Sequence, residues 1–359
     1  MKSKKRVYII AEAGINHNNS LDNCYGLIDS ASDAGCNAVK FQFFTARGLY
    51  PRSAGRLNWR DGSKGYSYDI YSAVKSFELP RRWIADIMRY SRRKGIDFLS
   101  SVSDARGADE LVRLGVKMIK IPSYSVTNLP LLDHCARLGL PMIMSTGGAS
   151  LGEVEEAVRT VNAYHNKLSI LHCSIKYPTE PGECNLGVIV TLRYAFPYNR
   201  IGYSDHTAET SSAPVQAVYL GADIIEKHIT LDRHMKGPDH FFALEPRQLK
   251  EMVCAVRDAE KDRAKGNMVF DRKMYGSSAK VTFAHERYLR DFCYPGLFAR
   301  KCIKKGERIL FRDLSILRPG KKGRGLEPRY LSLFKRYKIR AARDIAEEEE
   351  IKWESIFDA

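Results

Sequence analysis

No run among the 359 residues approaches the roughly 20 consecutive apolar residues that a membrane-spanning helix requires. The opening Met1-Lys2-Ser3-Lys4-Lys5-Arg6 is basic, but it lacks the apolar core and small-residue cleavage site of a secretory signal. Paired cysteines are missing as well. Cys24, Cys36, Cys135, Cys173, Cys184, Cys254, Cys293 and Cys302 are scattered, with no CxxC among them, so zinc ribbons and dithiol redox motifs are unsupported. Reduced thiols in a cytoplasmic protein fit this pattern. Neither GxGxxG nor GxxxxGK[ST] occurs, which removes the glycine-rich phosphate turns of the common nucleotide folds. Nucleic acid is a poor candidate partner: the net charge of +16 is spread along the chain, with no aromatic-interleaved basic module. An anionic substrate accounts for the charge as well.

What is present is an ordinary globular composition, 44% hydrophobic and 28% charged, and a recurring unit of short apolar strand, polar turn and amphipathic helix. Strands are predicted at 7–11, 37–43, 96–100, 116–121, 141–144, 168–172, 200–203 and 222–225. Helices are predicted between and after them at 21–34, 80–93, 105–114, 129–138, 151–163, 186–196, 208–220 and 246–264. Parallel strands need such crossovers. Eight alternating units over residues 1–265 give the α/β class and a (β/α)8 TIM barrel as the catalytic domain. The polar segment 45–76 is too long for a plain connector and is expected to cover the substrate. After Gly266 the pattern breaks. Residues 266–293 read as a linker, and 294–359 as a small β-rich domain of short strands and Lys/Gly turns.

Polar chemistry gathers where strands end, the end at which α/β barrels bind ligands. Side chains alternate along a strand, so Lys40 and Gln42 share a face, as do Ser204 and His206, and Glu226 and His228. In a closed barrel the eighth strand neighbours the seventh and the first, which brings His206, His228, Glu12 and Gln42 into one sector. Two imidazoles with oxygen ligands suit Mn²⁺, Mg²⁺ or Zn²⁺. Opposite them, Lys40, Lys120, Ser101, Ser123, Ser145 and Ser204 are expected to form a ring of cations and hydroxyls without a nearby acid, suited to a phosphate and a carboxylate. Pairing of Lys40 and Lys120 with glutamates is the alternative.

At these residues the chain resembles the sialic acid synthase family, which includes legionaminic and pseudaminic acid synthases. The matching runs include Ala11-Glu12-Ala13-Gly14-Ile15-Asn16-His17, Val39-Lys40-Phe41-Gln42, Lys120-Ile121-Pro122-Ser123 and Ser145-Thr146-Gly147. They continue with Tyr177-Pro178-Thr179, Gly202-Tyr203-Ser204-Asp205-His206-Thr207, Glu226-Lys227-His228 and Gly237-Pro238-Asp239. The tail resembles the family's antifreeze-like (SAF) domain through Ile303-Lys304-Lys305-Gly306-Glu307 and Leu317-Arg318-Pro319-Gly320.

The resemblance implies condensation of phosphoenolpyruvate with an open-chain N-acylated hexosamine, giving phosphate and a nine-carbon 2-keto acid. It implies a divalent ion, Mn²⁺ or Mg²⁺, on His206 and His228 with Gln42 nearby through water. Glu12, His206, His228 and Lys120 would be catalytic. Lys40, Ser101, Lys120, Ser123, Ser145 and Ser204 would bind phosphoenolpyruvate. Tyr177, Glu226 and Asp239 would meet the sugar, joined by Arg318 from the second domain of a partner subunit in a domain-swapped homodimer. Ser125 and Ile175 depart from the family pattern and put the acceptor sugar in question; Ser101 also departs, replacing a usual Thr. Two other readings stay open: a Schiff-base pyruvate aldolase using Lys120 or Lys40, and a non-catalytic carbohydrate- or nucleic-acid-binding homologue.

Overall fold

Each short apolar run becomes a strand, because a β-branched or aromatic segment buried on both faces is stable only inside a parallel sheet. In the computed structural model, which describes residues 6–61 and 64–357, eight strands close into a barrel. They are β1 (Tyr8–Gly14), β2 (Ala38–Phe43), β3 (Asp97–Val102), β4 (Ile119–Ile121), β5 (Met142–Ser145), β6 (Leu168–Cys173), β7 (Arg200–Asp205) and β8 (Ile224–His228). Each pairs in parallel with its chain neighbours, and β8 returns to β1. The surrounding helices are α1 (Leu21–Asp33), α2 (Arg81–Arg93), α3 (Ala105–Arg113), α4 (Leu129–Arg137), α5 (Leu151–Asn162), α6 (Gly187–Ala195), α7 (Ser212–Tyr219) and α8 (Pro246–Lys265). Local chemistry sets their ends. Ser20 accepts from Asn23 N at the start of α1, Ser150 and Glu153 form a reciprocal cap on α5, and Gly266 closes α8 at φ 80°.

Alternation along the strands stacks the barrel interior in two layers. Ile10, Ala38, Leu99, Ile143, Leu171 and Ile224 form an apolar floor. Two residues further along the same strands stand Glu12, Lys40, Ser101, Ser145, Cys173 and Glu226, all buried. The outward-facing residues join the helices in the larger core. At Gly202 of β7 the interior leaves no room for a side chain: a Cβ would lie 2.4 Å from the Ile224 carbonyl oxygen and 2.6 Å from Leu171 Cδ2. Gly202→Ala is therefore expected to cost about 1–3 kcal/mol by overpacking. Urea unfolding checks this through a lowered midpoint at constant m-value; an unmoved midpoint would show that the strand yields freely.

Four strands run two or three residues past their expected ends. The expected ends of β1, β3, β7 and β8 are Ala11, Ser100, Tyr203 and Ile225; the strands continue to Gly14, Val102, Asp205 and His228. Neighbouring strands still supply ladder partners there, with Glu12 opposite His228 and Lys227 opposite Asp205, so backbone pairing outlasts the hydrophobic pattern. The helix after β7 starts late, at Ser212 rather than Ala208. Asp205 accepts from Thr207 N at 2.9 Å and Lys227 Nζ donates to Thr207 O at 2.6 Å, which spends both backbone groups of Thr207 outside any helix.

The 45–76 segment folds as a helix (Ala46–Leu49), an antiparallel hairpin (Arg56–Asp61 with Lys64–Asp69) and a second helix (Ile70–Ser76). Beyond α8, short helices at Arg272–Tyr275 and Arg287–Cys293 lead into a C-terminal unit. There β9 (Gly296–Ala299) pairs antiparallel with β10 (Leu314–Leu317), over a separate core that includes Leu297, Ile303, Ile309, Phe334 and Ile351. This unit docks on the 45–76 segment by backbone bonds, Arg318 N to Leu49 O at 2.7 Å and Lys321 N to Ala54 O at 2.8 Å.

Candidate active site

The C-terminal strand ends open into a cavity of about 1220 Å³. Its floor is the polar layer of the barrel. One wall is the 45–76 segment, which contributes Leu57, Tyr68, Ile70 and Val74. Arg318 of the C-terminal unit and the loop after β8, with Lys236 and Asp239, complete the enclosure.

Two lysines dominate the floor. Lys40 Nζ lies 2.6 Å from Glu12 Oε2 and 3.6 Å from Glu226 Oε1. Lys120 Nζ donates to Ser145 Oγ at 2.7 Å and is 3.6 Å from the same Glu226 oxygen. Ser204 Oγ donates to Glu226 at 3.0 Å. The expected acid-free ring is thus corrected: both cations face carboxylates. Glu12 sits opposite Lys40 in register and Glu226 projects inward at the same level, and charges buried this deeply need partners. The balance of forces differs among the four groups. Burial opposes the charge on Lys40, but Glu12 and Glu226 outweigh it and hold the ammonium above its ordinary range. Lys120 is held below its ordinary range by burial, only partly offset by Glu226. Burial raises the Glu12 carboxyl despite Lys40. Burial acts the same way on Glu226, but Lys120 and Lys40 together pull it below the usual carboxylate range.

His206 and His228 meet in the same cavity, ring centroids 5.3 Å apart. His206 Nδ1 lies 2.6 Å from Ser174 O, so it carries the proton and leaves Nε2 as a lone-pair donor. Burial holds His206 down to about 4, and burial together with His206 holds His228 well below the usual imidazole range. Both rings are neutral at pH 7, the form that binds metal. His228 Nδ1 is buried without a hydrogen-bond partner, 3.8 Å from Asp239 Oδ2. Among the described residues no group of three or more His, Cys, Asp and Glu side chains converges as a metal site. The two imidazoles could hold a cation only if water, an amide or substrate supplied its remaining positions. Gln42 stands close by, its amide donating to Glu12 Oε1 at 3.0 Å.

The remaining expected residues divide. Ser101, Ser123, Tyr177, Asp239 and Arg318 all line the cavity. Tyr177 stacks on His206 with centroids 4.1 Å apart. Burial and the charge of Glu12 push Asp239 up to about 7. Arg318 was expected from a partner subunit; here the chain's own C-terminal unit delivers it, because Arg318 N is tied to Leu49 O beside the mouth. Its guanidinium lies 4.4 Å from the Tyr124 ring centroid and 5.8 Å from that of Tyr50. Ile175 and Ser125 do not line the cavity. Ile175 is fully buried under the loop after β5, where a Cβ on Gly147 would meet it at 2.8 Å.

Sequence reasoning passed over Tyr124, whose hydroxyl donates to Tyr177 at 3.3 Å. It also passed over Cys173, inward on β6 beside Ser204 in register. Parity with His172 outward and Leu171 inward would have placed Cys173 inside.

Asp205 and Lys227, which alternate with these residues, face outward and bond to each other at 2.5 Å, both fully buried. They anchor the turn that presents His206.

The description of the NeuB family matches residues 27–268. The spore coat polysaccharide biosynthesis protein SpsE of Bacillus subtilis is 44% identical over 98% of this chain and 93% of its own length. Its crystal structure superposes with a TM-score of 0.88 over 99% of this chain and 97% of that one. An N,N'-diacetyllegionaminic acid synthase of Legionella pneumophila is 36% identical over 89% of this chain and 87% of its own. A crystal structure of N-acetylneuraminic acid synthetase from Leptospira borgpetersenii, in complex with citrate, is 32% identical and reaches a TM-score of 0.66 over 75% of this chain and 88% of that one. With a barrel mouth that sets two buried lysines against two neutral imidazoles, and a family description spanning most of the barrel, the chain belongs to the NeuB family of sialic acid synthases.

Proposed function

We propose that this chain is a transferase that joins phosphoenolpyruvate to an N-acylated hexosamine, releasing phosphate and a nine-carbon 2-keto sugar acid. The observation that carries the reading is that Lys40, Lys120, His206 and His228 line one enclosed cavity. Lys40 and Lys120 exchange their glutamate contacts for the oxygens of phosphoenolpyruvate, with hydroxyls from Ser101, Ser123, Ser145 and Ser204 completing the shell. His206 and His228, with Gln42 nearby, would hold a divalent cation, Mn²⁺ or Mg²⁺, which would supply a Lewis acid for polarising the sugar aldehyde.

The balance is simple. A C–C bond forms between the methylene carbon of phosphoenolpyruvate and the aldehyde carbon, and the aldehyde oxygen becomes a hydroxyl by gaining one of the two protons of the incoming water. That water's oxygen adds at the former enol carbon, and its hydroxyl re-forms a carbonyl as the C–O bond to phosphate breaks, the second proton leaving with phosphate. Glu12, raised by burial, takes the proton of the incoming water. Asp239, pushed up to about 7 by burial and Glu12, is placed to share a proton with a sugar hydroxyl. Tyr177, Glu226 and Arg318 position the acceptor. The C-terminal unit is of the antifreeze-like type, the protein is cytoplasmic with all eight thiols free, and two copies form a homodimer in which each Arg318 serves its own mouth.

A phosphate-release screen tests this, with phosphoenolpyruvate against N-acyl and di-N-acyl hexosamines, free and 6-phosphorylated. Release should require an acceptor, cease after EDTA and return with Mn²⁺ or Mg²⁺. Borohydride trapping of pyruvate on Lys120, indifferent to chelator, would instead support an aldolase, since burial lowers the pKa of that amine and so favours its neutral form.

A further inference from the structure

The segment between barrel and C-terminal unit carries buried charges that the proposed reaction does not use. Lys280 and Glu286 are 4% and 1% exposed. Neither faces the cavity. Both turn toward the loop Ser145-Thr146-Gly147-Gly148 that follows β5.

That loop is held almost atom by atom from the 280–294 segment. Lys280 Nζ donates to Thr146 O at 2.6 Å. The Tyr294 hydroxyl donates to Gly147 O at 2.6 Å. Thr282 Oγ1 donates to Gly148 O at 2.8 Å, and the Arg290 guanidinium reaches the same oxygen. Glu286 Oε1 accepts from Gly148 N at 2.9 Å. The loop in turn reaches the floor at two points: Ser145 Oγ receives Lys120, and Gly147 N donates to Ser123 Oγ at 3.0 Å. Its glycines admit no side chain on the far side, where Ile175 and Tyr294 press against them.

The grip extends to the other half of the site. Glu286 Oε1 also accepts from Ile175 N at 3.1 Å. The preceding residue, Ser174, gives its carbonyl to His206 Nδ1. One carboxylate thus bridges the loops after β5 and β6, one leading to the lysine side and the other to the imidazole side.

We propose that residues 280–294 are a positioning element of the active site, in which Lys280 and Tyr294 fix the anion-holding loop and Glu286 locks that loop to the strand end orienting His206. This rests on the synthase reading. A passive linker has no reason to bury a lysine whose pKa burial lowers to about 8. A cation behind an anion loop adds to the field that Lys40 and Lys120 set up.

Steady-state kinetics on the full-length protein tests the inference, with KM for each substrate and kcat measured separately and folding checked by thermal melting. Tyr294→Phe, which deletes one oxygen, should raise KM for phosphoenolpyruvate about fivefold, the size of one net hydrogen bond. Lys280→Met should raise it about tenfold or more, from the lost charge-assisted bond. Both should leave the acceptor KM within about twofold. Glu286→Gln should raise KM for phosphoenolpyruvate and also lower kcat, since it loosens both halves. Direct titration of phosphoenolpyruvate should show the same losses.

If wild type releases phosphate while Lys280→Met and Tyr294→Phe keep its phosphoenolpyruvate KM within twofold, the positioning role is wrong and the synthase reading stands. If wild type releases none with any acceptor but binds phosphoenolpyruvate, the synthase reading fails, and the titrations alone still decide whether the segment shapes the anion site.

Discussion

The double variant His206→Ala, His228→Ala is expected to lose at least about a thousandfold in kcat/KM for phosphate release, because the Lewis acid proposed to sit on these rings, worth several kcal/mol, would go with its ligands. The expectation rests on protonation as much as on proximity. Burial keeps both rings neutral, His206 at about 4 and His228 well below the usual range, so each offers a lone pair across the physiological pH range. His206 is also locked in one tautomer by Ser174 O at 2.6 Å. The fold should survive, since the loss is two polar contacts at a cavity edge rather than core volume. Equilibrium dialysis against Mn²⁺ should show the bound ion lost along with activity. Retention of metal-dependent turnover within tenfold of wild type would place the cation elsewhere.

Lys227→Met is expected to be the most damaging single change for stability, at about 3–5 kcal/mol, because it leaves Asp205 charged and unpaired in the interior. Lys227 and Asp205 are among the least exposed polar residues of the chain, 1% each. Lys227 Nζ spends its donors on Asp205 Oδ2, Thr207 O and Thr207 Oγ1. Asp205 takes further bonds from Thr207 N and from the Tyr203 hydroxyl at 3.2 Å. The network is closed, so removing one member strands the rest. A double-mutant cycle with Asp205→Leu measures the coupling. The pair together should cost less than the sum of the singles, and strict additivity would mean that the ion pair carries no interaction of its own. Activity should fall with stability, since this turn carries His206.

How much of this could be read from the chain depends on the kind of information needed. The barrel was legible because eight apolar runs alternated with helix-length segments, most of them stopped by glycine or capped by serine. Strand parity placed Lys40 with Gln42, Ser204 with His206, and Glu226 with His228 on the inner face. Parity says which face a residue takes but not what it meets across the barrel. The contacts of Lys40 and Lys120 with Glu226 are therefore properties of closure, invisible along one strand. The Asp205–Lys227 pair has the same origin: two residues on neighbouring strands meet on the helix side, hidden within motifs whose flanking residues draw attention. Residues 266–293 showed no hydrophobic period, and a segment that works through single hydrogen bonds to a loop has no reason to show one. Ile175 and Ser125 looked like changes at the sugar site because sequence position alone cannot separate a cavity wall from the packing behind it.

The floor of the cavity and its walls come from different stretches of chain. Reactive groups stand on strand ends held rigidly by the ladder, whereas Leu57, Tyr68 and Arg318 arrive from an inserted hairpin and a terminal unit outside the barrel. Substitutions on those walls can alter which acceptors fit without disturbing a single group that handles the enol. Selectivity and reactivity are thereby free to diverge, so that one conserved chemistry can be carried from one nine-carbon product to another by remodelling the periphery alone.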